Sequence, residues 1–355
     1  MGESMDLIEG DRIVLAEIEA SADAALPVWA AGANRGDPYR PHALVDGERV
    51  VALFAAGCML DRLPESIAEL GHLRQLDLAG NNLETFPEAV LELEALELLN
   101  LGENPFSEVP EGIGRLRGLT RLYLHSTRLT ALPDSLGDLE NLKVLDLGHA
   151  RLESVSAALG RLRQLEFLYL SNNQLSEISP AFGGLGNLLY LNLTDNHLSI
   201  LPEAIGGLAK LLELRLYNNR LESLPESIGR LGRLVELHAM NNRLSELPAS
   251  IAGLRRLKKL ALMDNRLTRL PGEIGELSSL VDLDLRNNRL VELPESLGKL
   301  KVLTFLDLRA NRLTALPNSL AELPRLEKLD LRWNRIEPLP GWVGELERRG
   351  CRVYS

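Results

Sequence analysis

Apolar positions recur along this chain with a fixed spacing of 23 residues. The frame is L-x-x-L-x-L-x-x-N-x-L, and a weaker copy of it opens at Val50. The leucines that open the other copies, without a single insertion, are Leu73, Leu96, Leu119, Leu142, Leu165, Leu188, Leu211, Leu234, Leu257, Leu280, Leu303 and Leu326. The pattern predicts 13 repeats over residues 50–348. Because one such repeat cannot bury its leucines alone, neighbouring repeats must stack on one another.

Each repeat predicts a short strand followed by a turn. The alternation L-x-L predicts a strand whose leucines are buried and whose intervening side chains lie on the open face. The Asn after the strand is flanked by leucines, so we expect its buried amide to hydrogen-bond the backbone of neighbouring turns. The next segment, L-x-x-L-P-x-x-I/L-G-x-L, predicts a turn and a short helical or 3₁₀ segment with Pro in its first turn.

Residues 50–348, about 85% of the chain, resemble the leucine-rich repeat family in this frame. The L-P-x-x-I-G-x-L form is similar to the 23-residue intracellular repeats of the Ras group and of many bacterial proteins. The resemblance implies an α/β fold, a horseshoe-shaped solenoid with a parallel sheet on its concave face and short helices or 3₁₀ turns on its convex face. It also implies a protein-interaction module that binds mostly on the concave face.

The two ends of the chain predict caps for the stack, because an open end would expose the core. Residues 6–20 place apolar side chains at roughly helical spacing, and residues 42–55 predict a hairpin with a tight Asp-Gly turn. An irregular segment, 21–40, joins them. We expect residues 1–49 to form an N-terminal cap that resembles in shape the cap of plant-type members. A last helix and a closing segment, 349–355, end the chain.

The open-face positions of the middle repeats are unusually rich in aromatic side chains. Four of the six tyrosines fall there, although only 4% of the chain is aromatic. They lie on consecutive predicted strands, so we expect one patch, and Tyr, Met and Arg are typical of interface centres. The predicted binding residues are Tyr123, His125, His149, Phe167, Tyr169, Tyr190, Glu213, Arg215, Tyr217, His238 and Met240. The alternative is cross-strand packing of exposed rings, which explains an isolated ring better than a run of four.

The repeat pattern weakens near this predicted patch. Ten of the 13 repeats carry the Asn, and the exceptions are Cys58, Thr127 and Ala150. Two prolines are also replaced, by Ser156 and Ser179. Because Ala150 has no polar side chain, its turn must relax, use water or rearrange. One hypothesis is that regularity is given up there for a binding surface, and the alternative is tolerated drift.

Two columns of charge mark the later repeats. An acidic column (Asp284, Asp307, Asp330) stands beside a basic one (Arg286, Arg309, Arg332) and predicts a solvated salt-bridge ladder that contributes little stability. Trp333, next to the last arginine, is a candidate second contact point. A further arginine follows the ladder position in most repeats, at Arg128, Arg151, Arg220, Arg243, Arg266, Arg289, Arg312 and Arg335. We interpret this stripe as part of the frame, with long stems covering apolar surface, rather than as a nucleic-acid site.

Composition and charge narrow the function. The chain has 355 residues and a net charge of −11, which argues against general binding of nucleic acid or an anionic membrane. No apolar run reaches the length of a membrane span, and the N-terminus lacks a secretory signal. The two cysteines, Cys58 and Cys351, are expected not to pair. We therefore expect a cytoplasmic protein, while non-classical export as an effector stays open.

Catalytic motifs are missing from the sequence: it has no Walker loop, H-E-x-x-H, C-x-x-C or G-x-S-x-G pattern. We expect a non-enzymatic monomer that needs no cofactor and no metal and that binds a protein or peptide on the concave face, as a signalling scaffold does. A metal site of His125, His149 and Asp146 is a minor alternative, since contact histidines explain these residues better. Two other functions stay open: substrate recognition in a bacterial effector or ubiquitin-ligase system, and a small-molecule receptor.

Overall fold

The computed structural model describes residues 7–22, 24–30 and 40–355. They fall into two compact units, Met1–Asn173 and Gln174–Ser355. Each unit is a stack of repeats in which short strands form a sheet on one side and 3₁₀ segments lie on the other. In the described part of the chain, no helix is both long enough and apolar enough to cross a membrane.

Among its described residues, the first unit contains helix α1 (Glu9–Ser21) and eight strands. The strands are β1 (Val28–Ala30), β2 (His42–Asp46), β3 (Arg49–Phe54), β4 (Gln75–Asp77), β5 (Leu98–Asn100), β6 (Arg121–Tyr123), β7 (Val144–Asp146) and β8 (Phe167–Tyr169). The 3₁₀ segments are Glu65–Glu69, Glu88–Glu92, Glu111–Arg115, Asp134–Asp138 and Ala157–Arg161. Strands β2 and β3 form an antiparallel hairpin, and from β3 to β8 each strand pairs with the next in parallel.

The N-terminal elements agree with the sequence in part. Helix α1 and the β2–β3 hairpin occur where the pattern predicts a helix and a hairpin. The prediction of an irregular segment over 21–40 is wrong for β1, which pairs with β2 in parallel. A strand of three residues is too short to show an alternating pattern, so only its pairing partner reveals it. Residues 1–6, 23 and 31–39, which belong to the predicted cap, lie outside the described residues.

The second unit contains eight parallel strands and ends with helix α2 (Val343–Arg348). The strands are β9 (Tyr190–Asn192), β10 (Glu213–Arg215), β11 (Glu236–His238), β12 (Lys259–Ala261), β13 (Asp282–Asp284), β14 (Phe305–Asp307), β15 (Lys328–Asp330) and β16 (Arg352–Tyr354). The 3₁₀ segments are Pro180–Gly184, Glu203–Gly207, Glu226–Arg230, Ala249–Gly253, Gly272–Glu276, Glu295–Lys299 and Asn318–Glu322. Strand β16 pairs with β15 and continues the sheet of this unit beyond the last repeat.

The register of the sheet follows the sequence period directly. Leu214 pairs with Leu237, and Leu237 pairs with Leu260, so residues 23 apart lie side by side. These leucines are fully buried between the sheet and the 3₁₀ segments. The prolines stand just before the 3₁₀ segments rather than inside their first turn, as Pro294 does before Glu295–Lys299. Within each unit, the predicted leucine-rich repeat solenoid is confirmed.

The predicted role of the buried asparagine is also confirmed. The Asn288 side-chain nitrogen donates to the carbonyls of Leu262 at 2.9 Å and Leu285 at 3.0 Å. Its side-chain oxygen accepts from the backbone N–H of Leu267 at 3.0 Å. The residue before it, Asn287, takes a left-handed conformation with φ of 56°, which Asn tolerates better than most residues. The Asn-Asn pair therefore serves two purposes, one in the turn and one in the core.

The repeats that lack this asparagine keep a regular backbone. The Thr127 hydroxyl donates to the Leu124 carbonyl at 2.9 Å, which replaces one of the usual bonds. The Ala150 side chain has no polar group to offer. Even so, His149 before it has φ of 56°, close to the 57° of Asn218 in a complete repeat. The backbone turn at Ala150 therefore does not rearrange, contrary to one of the outcomes expected from the sequence.

The two serines that replace proline also preserve the local structure. The Ser156 hydroxyl accepts from the Ala158 N–H at 3.0 Å, and the Ser179 hydroxyl accepts from the Ala181 N–H at 3.2 Å. Both are ordinary N-cap interactions, in which a side-chain oxygen satisfies a free N–H of the first turn. The loss of proline at these positions is thus compensated locally and does not interrupt the stack.

We expect Ala150→Asn to raise the free energy of unfolding by about 1–3 kcal/mol. By analogy with the complete repeats, the new amide would donate to the carbonyls of Leu124 and Leu147 and accept from the N–H of Leu129. Urea denaturation of the purified chain measures the change. The reverse change in the next repeat, Asn173→Ala, is the matched control and should lower stability, because it removes a bond of 2.9 Å to Leu147.

The same variant separates the two explanations of the missing asparagine. If regularity was given up for binding, Ala150→Asn should gain stability and lose affinity for a ligand of the open face. If the asparagine was lost by tolerated drift, Ala150→Asn should gain stability and keep its affinity for that ligand. A variant that gains no stability would contradict the assigned role of the amide.

Candidate functional site

The open face of the first unit carries aromatic side chains on strands β6 and β8. Tyr123 pairs in register with Asp146 on β7, which pairs in turn with Tyr169 on β8. Phe167 lies on the same face of β8, and all three rings are half-buried. Since neighbouring strands are about 4.8 Å apart, Tyr123 and Tyr169 stand about 10 Å apart across an acidic side chain. Aromatic surface and negative charge therefore alternate across this face.

The two histidines predicted in this region occupy different surroundings. The His125 ring lies directly over Gly102, where an added Cβ would meet its Nε2 at 2.6 Å. A larger residue at position 102 would force this ring to move. His149, in contrast, is exposed in the turn after β7, with its Nε2 3.3 Å from the Asn172 side-chain nitrogen. His149 thus lies in the turn beyond the strand rather than on the strand itself.

The open face of the second unit combines an aromatic ring with paired charges on strands β9 and β10. The Arg215 guanidinium lies 5.5 Å from the centre of the Tyr190 ring, a cation–π distance. Its Nε donates to the Glu213 carboxylate on the same strand. Partial burial lowers the pKa of Arg215, but the bond to Glu213 together with the charges of Tyr190, Glu213 and Tyr217 raises the pKa of the guanidinium above its usual value. Tyr217, half-buried, follows on the same face.

Strand β11 adds a histidine to this group. His238 is buried, and its Nε2 lies 2.8 Å from Glu236 Oε2 and 3.9 Å from Glu213 Oε1. Met240 is half-buried just beyond the strand. Glu236 is a contact that the sequence did not single out. The sequence could have indicated this contact, because Glu236 occupies the repeat position of Glu213 and therefore pairs with it in the register.

The acidic and basic columns of strands β13 to β15 form the expected ladder, but the prediction that the ladder is solvated is wrong for two of its three acids. Asp307 and Asp330 are fully buried. Arg309 holds Asp307 at 2.6 Å and reaches Asp330 at 3.4 Å, while Arg332 holds Asp330 at 2.7 Å. The arginine side chains lie over the carboxylates and exclude water from them. These contacts belong to a partly buried network rather than to isolated surface pairs.

The end of the second unit exposes a tryptophan. Trp333 is 71% exposed and takes a left-handed conformation with φ of 60°. The Arg332 guanidinium lies 5.5 Å from its ring and 5.1 Å from the ring of Tyr354 on the closing strand. A shallow depression beside it is lined by Leu331, Trp333, Asn334, Ile336, Glu337, Leu339 and Ser355. The second contact point suggested by the sequence is thus an exposed ring next to a cation.

The other reactive groups offer no catalytic arrangement in the described residues. Cys58 and Cys351 are free and buried, and burial raises the pKa of both thiols, which disfavours the reactive thiolate. The Asp146 carboxylate accepts from the Gly148 N–H at 2.9 Å and is occupied in its own turn. The arginines of the sequence stripe are exposed along the turns after the strands.

The comparisons with known proteins agree with this architecture. A family model described as a leucine-rich repeat region matches residues 171–265 and 249–333. Two further leucine-rich repeat models match residues 117–175 and 72–93. Comparison with curated proteins gives no match.

Solved structures give the same result over most of the chain. A leucine-rich repeat protein of Leptospira interrogans is 34% identical over 84% of this chain and 82% of that chain, with a TM-score of 0.69. An internalin of Listeria monocytogenes is 23% identical over 79% of this chain and 89% of that chain, with a TM-score of 0.60, which shows a similar fold alone. The Arabidopsis receptor kinase HAESA, in complex with the peptide hormone IDA and the co-receptor SERK1, is 25% identical over 92% of this chain and 70% of that chain, with a TM-score of 0.59. Given its repeat frame, its stacked strands and these similarities, the chain belongs to the leucine-rich repeat family.

Proposed function

We propose that this chain is a non-enzymatic binding module that holds a protein segment or peptide against the open face of its sheet. One observation carries the proposal. The side chains of the open face make no contribution to the leucine core, yet in both units this face holds half-buried aromatic rings beside charged groups. The repeat frame accounts for the buried leucines and asparagines but not for these rings, and a binding role accounts for them.

The open face is suited to a peptide that carries apolar side chains together with charged groups of both signs. Tyrosine rings offer large contact area at a low cost in conformational entropy, and such rings are frequent energetic anchors of interfaces. In the first unit, Asp146 between two tyrosines favours a cationic side chain of the ligand. In the second unit, Arg215 is held in place by Glu213 and the Tyr190 ring, so it is preorganised for an anionic group. Alternating charges of this kind select among peptides rather than bind them indiscriminately.

The similarity to HAESA supports a peptide ligand, since that receptor was solved in complex with a peptide hormone. This support is an analogy at the level of the fold, because function resides in the particular side chains of a site. We further propose that the chain works as a cytoplasmic monomer in signalling. Its two cysteines, both free and buried, are compatible with a reducing compartment.

Selection from a displayed library of random peptides, followed by titration of the enriched peptides, tests the proposal. We expect Tyr169→Ala in the first unit or Tyr190→Ala in the second to weaken binding by about 30-fold, the effect of losing an interface anchor. The matched control is Ile200→Ala, which removes an apolar side chain that is 62% exposed outside the strands. It should bind as tightly as the unmodified chain. Tyrosine variants that bind as tightly as this control would contradict the proposed surface.

A further inference from the structure

Strands β10 and β11 of the second unit bring two carboxylates and one imidazole together. One ligand atom from each of Glu213, Glu236 and His238 lies within 4.8 Å of the other two. Among the described residues, these three form the only group of histidine, cysteine, aspartate and glutamate side chains that meets at such distances. The group is separate from the Asp146 and His149 alternative considered from the sequence.

The parallel register builds this group from ordinary strand geometry. Glu213 pairs with Glu236, and Arg215 pairs with His238. Side chains two residues apart share one face of a strand, so Glu236 and His238 point the same way. His238 is only 7% exposed, so packing fixes its ring. The side chains of Glu213 and Glu236 are 24% and 40% exposed, which leaves the carboxylate side of the group open to solvent.

The charges of this group are incompletely balanced. Two carboxylates directly opposite each other on neighbouring strands repel, and that arrangement is normally destabilising. Arg215 compensates Glu213, to which it donates a hydrogen bond. His238 compensates Glu236 only when its ring is protonated, because a neutral imidazole carries no charge. A cation between the three ligand atoms would remove the repulsion while the ring is neutral, because only a deprotonated Nε2 offers a lone pair to a metal.

We propose that Glu213, Glu236 and His238 bind a divalent zinc ion on the open face of the second unit. Imidazole nitrogen and carboxylate oxygen are ligands that zinc prefers, at about 2.0–2.2 Å from the metal. In a tetrahedral site such ligand atoms are about 3.4 Å apart. The observed separations from His238 Nε2, 2.8 Å and 3.9 Å, fall on either side of that value. Side-chain rotations in the two partly exposed glutamates would bring the ligand atoms to this spacing.

The surroundings favour a site with an open position. Three protein ligands leave the fourth position of a tetrahedral zinc for water or for a donor atom of a bound molecule. Arg215 holds Glu213 and lies over Tyr190, an outer contact of the kind that orients metal ligands. The metal proposal stands apart from the peptide proposal, because zinc binding is measured with the chain alone.

Isothermal titration of the metal-free full chain with zinc at neutral pH tests the site. We expect one equivalent of zinc to bind, and His238→Ala to abolish this binding. Glu236→Gln should weaken it by more than about tenfold, a loss at least as large as that of an outer contact. Glu236→Gln also guards against misfolding, because this side chain is half exposed and the amide can still contact His238. His125→Ala is the matched control on the first unit and should leave the isotherm unchanged.

Cobalt absorption gives an independent measurement of the same site. Co²⁺ in a tetrahedral nitrogen and oxygen site shows intense visible bands, and these should appear with the unmodified chain and vanish in both site variants. An unmodified chain that binds no zinc would overturn the assignment. So would zinc binding that persists in His238→Ala and Glu236→Gln, because the metal would then bind elsewhere and the group would be a simple network of one histidine with two glutamates.

Discussion

Replacing Leu168 with alanine is expected to lower the free energy of unfolding by about 2–5 kcal/mol. Leu168 is the middle residue of β8 and is fully buried, in register with Leu145 on β7. Its side chain packs between the sheet and the 3₁₀ segments, and the fixed spacing of the stack limits how far its neighbours can move to fill the space. The cost therefore includes both the lost burial and the cavity that remains. Urea denaturation monitored by circular dichroism measures it.

The next residue provides the matched control. Tyr169 points to the opposite side of the same strand, where it is half-buried on the open face. Tyr169→Ala should therefore cost much less stability than Leu168→Ala, although it removes the larger side chain. Equal losses from the two variants would mean that the ring is needed for the fold, and the interpretation of the tyrosines as a binding surface would fail.

The second large effect concerns Asp284 and Asp330, two aspartates of the acidic column. Replacing each with asparagine should change the free energy of unfolding in opposite directions. Burial raises the pKa of Asp284 to about 6, and Arg286 only partly opposes this. The Arg286 guanidinium lies 3.3 Å from the Asp284 carboxylate but also contacts the Met263 sulfur at 2.8 Å. Burial alone would also raise the pKa of Asp330, but bonds from Arg332 and the charge of Arg309 lower it. One carboxylate is thus poorly compensated and the other well compensated.

The pH dependence follows from these directions. The pKa of folded Asp284 lies above its unfolded value of 3.8, so its protonated form stabilises the fold below about pH 4, and this advantage is lost as the pH rises through 6. Asp284→Asn should therefore raise stability at pH 8 by up to about 3 kcal/mol, and by little at pH 4. This value is an upper limit, because the amide also gives up the ion pair with Arg286. The backbone bond from the Arg286 N–H to Oδ1, at 3.2 Å, is retained by asparagine.

Asp330→Asn is the matched comparison in the same column. The pKa of folded Asp330 is lowered, so its charge stabilises the fold above its unfolded pKa, and this contribution is lost as the pH falls. Asp330→Asn should therefore lower stability at neutral pH, with a difference that shrinks in acid. Thermal melting of both variants from pH 8 down to pH 2 measures the two trends, and the Asp330→Asn difference should shrink only below about pH 3.8. Trends of the same sign would show that the arginines compensate the two carboxylates equally.

The fold could be predicted from the sequence because one physical requirement is repeated many times. Every repeat must bury the same leucines and satisfy the same turn, so residues such as Leu214 and Asn288 reveal strand, register and turn together. Strand β1 has no such repetition. It pairs with β2, and a single segment of three residues contains no sequence pattern that predicts this pairing.

The binding site was predicted less completely than the fold. Its chemistry depends on contacts between side chains of neighbouring strands, and a list of the residue types at one repeat position does not reveal those contacts. The sequence placed Glu213 and His238 on one face, but the contact with Glu236 follows from the register of two strands. His149 follows a strand in the sequence, and the structure places it in the turn after β7 in a left-handed conformation. The burial of Asp330 depends on arginine side chains that cover it, and the spacing of residues in the repeat does not predict these conformations.

Hydroxyl-radical footprinting of the chain with and without a selected peptide would locate the binding surface, because oxidation reports the solvent exposure of individual side chains. We expect the peptide to protect tyrosines of the open face, among them Tyr169 and Tyr190, while Trp333 at the end of the second unit stays as reactive as before. Protection confined to Trp333 or to the 3₁₀ side, with the tyrosines unchanged, would contradict the proposed binding surface.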